Sequence, residues 1–175
     1  MRKTITLVLL SLAASCGGTS VPVQVKNASS FLDDAATGQT QFDATGPDLN
    51  ADASFGTLLN NVRAQSNGAG AVVHNAQLDA AAQAHAQDML DNDYFSHTGL
   101  NGSSPGDRAT LAGYDWRTYG ENIAAGYQTE AGVMDGWTNS EGHHANNINP
   151  IFTEFGLGLA TGGGDTRWVL MLGAQ

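Results

Sequence analysis

Cysteine is all but missing from this chain: Cys16 is the single example in 175 residues. An intramolecular disulfide is therefore excluded, and any folded domain must be held by packing and hydrogen bonding alone. Positive charge is nearly as scarce. Downstream of residue 53 the basic side chains are Arg63, Arg108, Arg117 and Arg167, and the formal net charge of the chain is −10, or −12 once Arg2 and Lys3 are removed. Nucleic-acid binding needs Lys/Arg clusters that neutralise phosphates, so it is set aside, and direct attraction to anionic lipid headgroups is disfavoured for the same reason. No apolar run reaches the about 20 residues a membrane-spanning helix requires. A His-Glu-x-x-His helix is missing, as is a glycine-rich loop ending in Gly-Lys-Ser/Thr.

What is present begins with an export signal. Arg2-Lys3 forms a positive start, Ile5 to Leu12 a short apolar core, and Ala13-Ala14-Ser15 a small-residue cleavage site. Residues 1–15 are expected to be a signal peptide. Cys16 follows at once, as in a bacterial lipoprotein box, although Ala13 stands where leucine is usual. Lipidation at Cys16 is the expectation, with ordinary cleavage and a secreted or periplasmic product as the alternative. Gly17 is not the aspartate associated with inner-membrane retention, which favours the outer membrane. The next stretch, to residue 53, is rich in Gly, Ser, Thr, Ala, Gln and Asp and lacks Trp and Tyr. Such a composition reads as a tether, with a root-mean-square span of roughly 35 Å if it is a flexible coil.

Residues 54–175 have the size of one globular domain. Ser54 is placed to cap a helix with Phe55, Leu58, Leu59 and Val62 on one stripe. A second helix is expected over 76–91, with Leu78, Ala81, Ala82, His85 and Met89 inward. Ser104-Pro105-Gly106-Asp107 opens a third, and a fourth runs from about Thr129 to Ser140. The period then changes. Phe155, Leu157 and Leu159 alternate with Gly156 and Gly158, a strand with one bare face. Trp168 to Leu172 is apolar at every position, a strand covered on both sides. The prediction is a three-layer α-β-α sandwich around a small antiparallel sheet.

Four side chains carry the chemistry. His97, Glu121, Glu141 and His143 lie on distant segments and, if converged, form a carboxylate–imidazole cluster suited to holding a divalent metal or moving protons. Glu141 is expected at the C-terminal end of the fourth helix, where the macrodipole opposes a negative charge, with Gly142 as terminator. His85 is expected in the core, His74 at the surface, and His144 turned away from His143.

Phe95-Ser96-His97, Gly120-Glu121-Asn122-Ile123 and the run from Trp137 through Ser140-Glu141-Gly142-His143 to Asn147-Ile148-Asn149-Pro150 resemble the bacterial branch of the CAP superfamily. That superfamily is named for cysteine-rich secretory proteins, antigen 5 and pathogenesis-related proteins, and its domain is also called SCP. The resemblance implies an α-β-α sandwich whose cleft carries His97, Glu121, Glu141 and His143, with zinc or another divalent ion bound in several members. Bacterial members often have arginine where this chain has His144, and eukaryotic members carry disulfides that this chain cannot form.

Three functions stay open on these grounds. One is an envelope-anchored binding module holding a metal, with a small-molecule, lipid-like or envelope-derived ligand and a membrane link only through Cys16; a monomer is expected. Another is a metal-assisted hydrolase of peptide or cell-wall material, with Glu121 and Glu141 as candidate catalytic carboxylates. In the third, the four residues form a structural polar network or serve partner docking.

Overall fold

The computed structural model describes residues 49–66 and 68–175. The signal peptide, Cys16 and most of the tether lie outside the described residues. Among the described residues, five helices and four strands follow in the order α1 (Leu49–Ala64), β1 (Val73–His74), α2 (Ala76–Asp91), α3 (Pro105–Leu111), β2 (Thr118–Ala125), α4 (Glu130–Thr138), α5 (Glu141–Asn147), β3 (Glu154–Gly162) and β4 (Asp165–Ala174). The strands form one sheet in the order β1-β3-β4-β2. β2, β3 and β4 are antiparallel, as expected, whereas the two-residue β1 runs parallel to β3, so the sheet is mixed.

Alternation along the strands sorts side chains to two cores, one on each face. Trp168, Leu170 and Leu172 of β4 join Phe155 and Leu157 of β3 beneath Phe55 and Leu59 of α1 and Val133, Met134 and Trp137 of α4. Val169 and Met171 face the other way, against Leu78, Ala82, Ala86 and Met89 of α2 and Ala109 of α3. This is the predicted three-layer sandwich. The Trp168–Leu172 run of β4 is apolar at every position because both of its faces are covered.

The bare face of β3 lies under α2. A Cβ on Gly156 would sit 2.2 Å from the backbone N of Asp79, and one on Gly158 would sit 2.3 Å from the carbonyl carbon of Ala82. Helix backbone rests directly on strand backbone there. Gln83 and Asp79 then reach down to β3, accepting from the N–H groups of Leu159 and Leu157 at 2.9 and 2.8 Å. The β3–β4 hairpin turns at Gly163-Gly164, with φ of +61° and +90°, the conformation a two-residue hairpin loop demands.

Helix limits follow local chemistry with two departures. Asn75 caps α2 through Gln77 N and Leu78 N, Thr129 caps α4 through Gly132 N, and Ser104 with Asp107 forms the capping box of α3. However, α1 begins at Leu49, so Ser54 lies inside the helix rather than at its cap. α4 also ends earlier than expected. Asn139 closes it, with its side-chain amide donating to Asp135 O at 2.9 Å, and Ser140 is extended. Glu141 therefore opens α5 instead of ending α4, and Gly142 lies inside a helix rather than terminating one.

Candidate functional site

The sheet's β2 edge organises the site. Glu121 and Ile123 of β2 face the α2/α3 layer, and Asn122 faces the α5 layer, because adjacent strand residues point to opposite sides. His97 sits on the loop after α2, and His143 sits in the first turns of α5. The two imidazoles thus approach the same edge from opposite layers. They are close enough for the charge of His97 to act on His143, whose pKa lies below the ordinary imidazole value, first through burial and then through His97.

Each ring is held by its Nδ1. His97 Nδ1–H donates to Glu121 Oε1 at 2.7 Å, and since a carboxylate can only accept, the proton resides on Nδ1. His143 Nδ1 shares a hydrogen bond of 2.8 Å with Ser140 Oγ. Ser140 occupies the N-cap position of α5, yet makes no side-chain cap bond. A cap residue ordinarily stabilises its helix by accepting from N2 or N3. Here that hydroxyl is turned to the imidazole instead, a local departure of the kind that marks functional sites. Among the described residues neither Nε2 has a hydrogen-bond partner.

The scaffold behind each ring is polar and closed. Glu121 is buried, with its side chain 2% exposed, against 53% for His97. Its second oxygen accepts from Arg108 Nη2 at 2.6 Å, a buried ion pair. On the other face, the Asn122 side chain donates to His143 O at 3.1 Å and to Asn147 Oδ1 at 2.9 Å. Asn146 returns a donor to Asn122 Oδ1 at 2.8 Å. These asparagines fix α5 against β2, so the backbone of His143 is tied to the strand that carries Glu121.

His97 and Glu121 are thus joined directly, and the backbone of His143 is tied to β2 through Asn122. Glu141 is exposed at the first position of α5, two residues from His143. Residues two apart on a helix do not share a face, and a carboxylate in a first turn is favoured by the macrodipole. The expectation that Glu141 breaks a local rule is therefore corrected: it obeys one. His85 is buried as expected, its Nε2–H donating to Ser96 O at 2.8 Å. His74 is exposed, as expected. It belongs to β1 and is hydrogen-bonded to Asp79.

Arg108 and Ser140 carry more of the site than their sequence context suggested. For Arg108 a signal existed. In a domain with four arginines and no lysine, a buried glutamate has few possible counter-ions.

The cysteine-rich secretory protein family, CAP, matches residues 57–172. The chain belongs to this family. It is 39% identical over 105 residues to the uncharacterized protein YkwD of Bacillus subtilis, covering 60% of this chain and 41% of that protein. A second relative, the uncharacterized membrane protein YlbC of the same organism, is 39% identical over 75 residues, covering 43% of this chain and 22% of YlbC. The chain thus spans about two fifths of one relative and about a fifth of the other. Among solved structures, an SCP-domain extracellular protein from Bacillus anthracis aligns with a TM-score of 0.64 at 30% identity, covering 72% of this chain and 41% of that one. An outer surface protein of Borrelia burgdorferi aligns at 0.67 with 20% identity over 74% of this chain and 96% of its own, a likeness of fold.

Among the described residues no three His, Cys, Asp or Glu side chains form a ready-made metal cage. What the site holds instead is two imidazoles, His97 and His143, each with a hydrogen bond at Nδ1. Each ring is oriented through Nδ1, the arrangement by which metal-ligating histidines are usually held by neighbouring acceptors.

Proposed function

We propose that this CAP domain is an exported, envelope-located binding module that takes a divalent ion, zinc foremost, through Nε2 of His97 and Nε2 of His143. The observation that carries the proposal is the pair of Nδ1 hydrogen bonds, to Glu121 and to Ser140, which fix both rings and leave both Nε2 atoms without a hydrogen-bond partner among the described residues. Neutral imidazoles are good zinc ligands, and the depressed pKa of His143 favours the neutral ring. With two protein ligands, the remaining positions go to water or to a small ligand. Zinc bound there would supply a polarising charge to that ligand. Glu121 orients His97 and compensates Arg108, and both of its oxygens are engaged. That engagement weighs against the hydrolase alternative in which Glu121 takes a proton from water. Glu141, exposed beside the cleft, is the carboxylate that remains available for such a role.

Export rests on Arg2-Lys3, the Ile5–Leu12 core and Ala13-Ala14-Ser15, and an envelope anchor on Cys16. The extracellular assignment of the Bacillus anthracis relative agrees with export.

The test is zinc titration by calorimetry of the full chain carrying Cys16→Ser, which removes the thiolate as a competing ligand. One zinc per chain is expected, lost in His97→Ala and in His143→Ala while circular dichroism stays native. A folded parent that takes up no zinc overturns the proposal.

A further inference from the structure

One side chain outside the imidazole–carboxylate set touches both ends of the His97–Glu121 couple. Arg108 Nη2 donates to Glu121 Oε2 at 2.6 Å and to the carbonyl of His97 at 3.0 Å. Its Nη1 donates to Ser103 O at 3.0 Å, within the same loop that carries His97. The guanidinium is buried and reaches the couple from α3, whose start is fixed by the Ser104–Asp107 capping box and Pro105. The arginine itself is therefore held rigidly.

The consequence for His97 follows from counting lone pairs and protons. With Oε2 of Glu121 occupied by Arg108, the other oxygen, Oε1, meets His97 Nδ1 at 2.7 Å. That oxygen can only accept, so Nδ1 must carry the hydrogen, and a neutral ring then has its lone pair on Nε2. Were the carboxylate free to rotate, or the His97 backbone free to shift, the ring could as well present Nε2–H. Both freedoms are removed by the same guanidinium nitrogen. A planar fork serving three acceptors in fixed directions is a property of arginine that a lysine ammonium does not reproduce.

We propose that Arg108 is a positioning residue: by holding the Glu121 carboxylate and the His97 carbonyl in one frame, it sets His97 in the Nδ1–H tautomer and so makes Nε2 the ligating atom of the cleft. It acts through Glu121 and His97 and itself touches no ligand. The ligating role rests on the metal-binding function proposed above, whereas the tautomer does not.

The experiment reads the two separately, on the full chain with Cys16→Ser, for the parent, Arg108→Gln and Arg108→Lys. Long-range proton–nitrogen NMR correlations at pH 8, without metal, report which nitrogen of His97 is protonated. Zinc calorimetry and urea unfolding run beside it. The parent is expected to show Nδ1–H. In Arg108→Gln the pattern moves toward a mixture of tautomers and zinc affinity falls about tenfold or more, as for loss of a partner behind a metal ligand. Arg108→Lys, which keeps a cation beside Glu121, preserves the comparison should Arg108→Gln unfold, and is expected to restore stability more fully than the tautomer. A parent that carries Nε2–H overturns the proposal by itself. So does a folded variant, Gln or Lys, with lower stability but an unchanged tautomer and unchanged zinc affinity, since that is what a purely structural arginine would give. An Arg108-dependent tautomer in a protein that binds no zinc would uphold the positioning role and sink the metal function alone.

Discussion

Arg63 Nη1 donates to the carbonyl of Asn147 at 2.6 Å, joining the last turn of α1 to the last residue of α5. The same nitrogen reaches Asn149 O at 3.1 Å, while Nε and Nη2 reach Gly70 O at 2.6 Å and Phe152 O at 3.1 Å. Arg63 is wholly buried and these four partners are carbonyls rather than carboxylates. A cation at the C-terminal end of α5 complements that helix's dipole, so the charge serves the helix that bears His143. Two buried arginines therefore fasten the two halves of the cleft, Arg63 behind His143 and Arg108 behind His97. Replacing Arg63 by Met leaves four carbonyls without this donor, at a cost on the order of 3 kcal/mol or more. Thermal unfolding should show it as a fall in Tm of about 10 °C. A fall of only a degree or two would mean that water replaces the guanidinium without loss.

Much of the scaffold was legible because its signals are local. The Ser104-x-x-Asp107 box, the inward stripe of α2 and the unbroken apolar run of β4 each specify their element without outside help. β1 was not legible, because two residues become a strand only by pairing with Glu154 and Phe155, some eighty positions away. The α4–α5 break was missed because Asn139 and Ser140 end one helix and begin another with no glycine or proline between them. Within the site, a common cleft for His97 and Glu121 was implied by family resemblance rather than by spacing, and their direct hydrogen bond is a finding of the structure. Arg108 finds its partner Glu121 thirteen positions away, and Ser140 turns to His143 three positions on instead of making the cap bond its position suggests.

The glycines of β3 make a sharp prediction. An added Cβ at Gly158 lies 2.3–2.4 Å from the backbone of Ala82 and Gln83, where no flexible side chain can yield. Gly158→Ala must push α2 off the sheet and open the second core. The expected loss is about 3 kcal/mol, measured by urea denaturation. An Ala variant as stable as the parent would mean that α2 does not rest on β3 backbone to backbone.

Glu121 and Glu141 should separate cleanly. Removing the charge of Glu121 strands a buried Arg108, and breaking a buried pair from one side typically costs about 3–5 kcal/mol, so Glu121→Gln should destabilise strongly. Glu141→Gln removes a water-exposed charge whose benefit to the start of α5 is at most about 1 kcal/mol. Its unfolding midpoint should barely move. Gly142→Ala supplies the companion test: nothing lies within 4 Å of the added carbon, and a helical position should gain roughly 0.5–1 kcal/mol from the exchange. A marked loss in Gly142→Ala would restore Gly142 as a terminator and remove α5 from the description.

Acid should weaken the domain through its histidines before it reaches its carboxylates. The pKa of His85 lies below the ordinary 6.5, first through burial and then through the positive charge of Arg108, with Glu121 and Asp88 and the Ser96 carbonyl opposing. Its Nδ1 is buried without a hydrogen-bond partner, so a second proton would have no acceptor. The pKa of His143 is displaced in the same direction. A group whose folded pKa is below its unfolded one binds fewer protons in the native state, so stability declines as pH falls from about 6.5 toward the lowered native values. Tm should therefore drop between pH 7.5 and 5.5. His85→Gln keeps a donor for Ser96 O but cannot titrate, so its Tm should drop less over that interval. If the two pH profiles run parallel, His85 is not a source of the acid sensitivity, and the remaining candidate among the depressed imidazoles is His143.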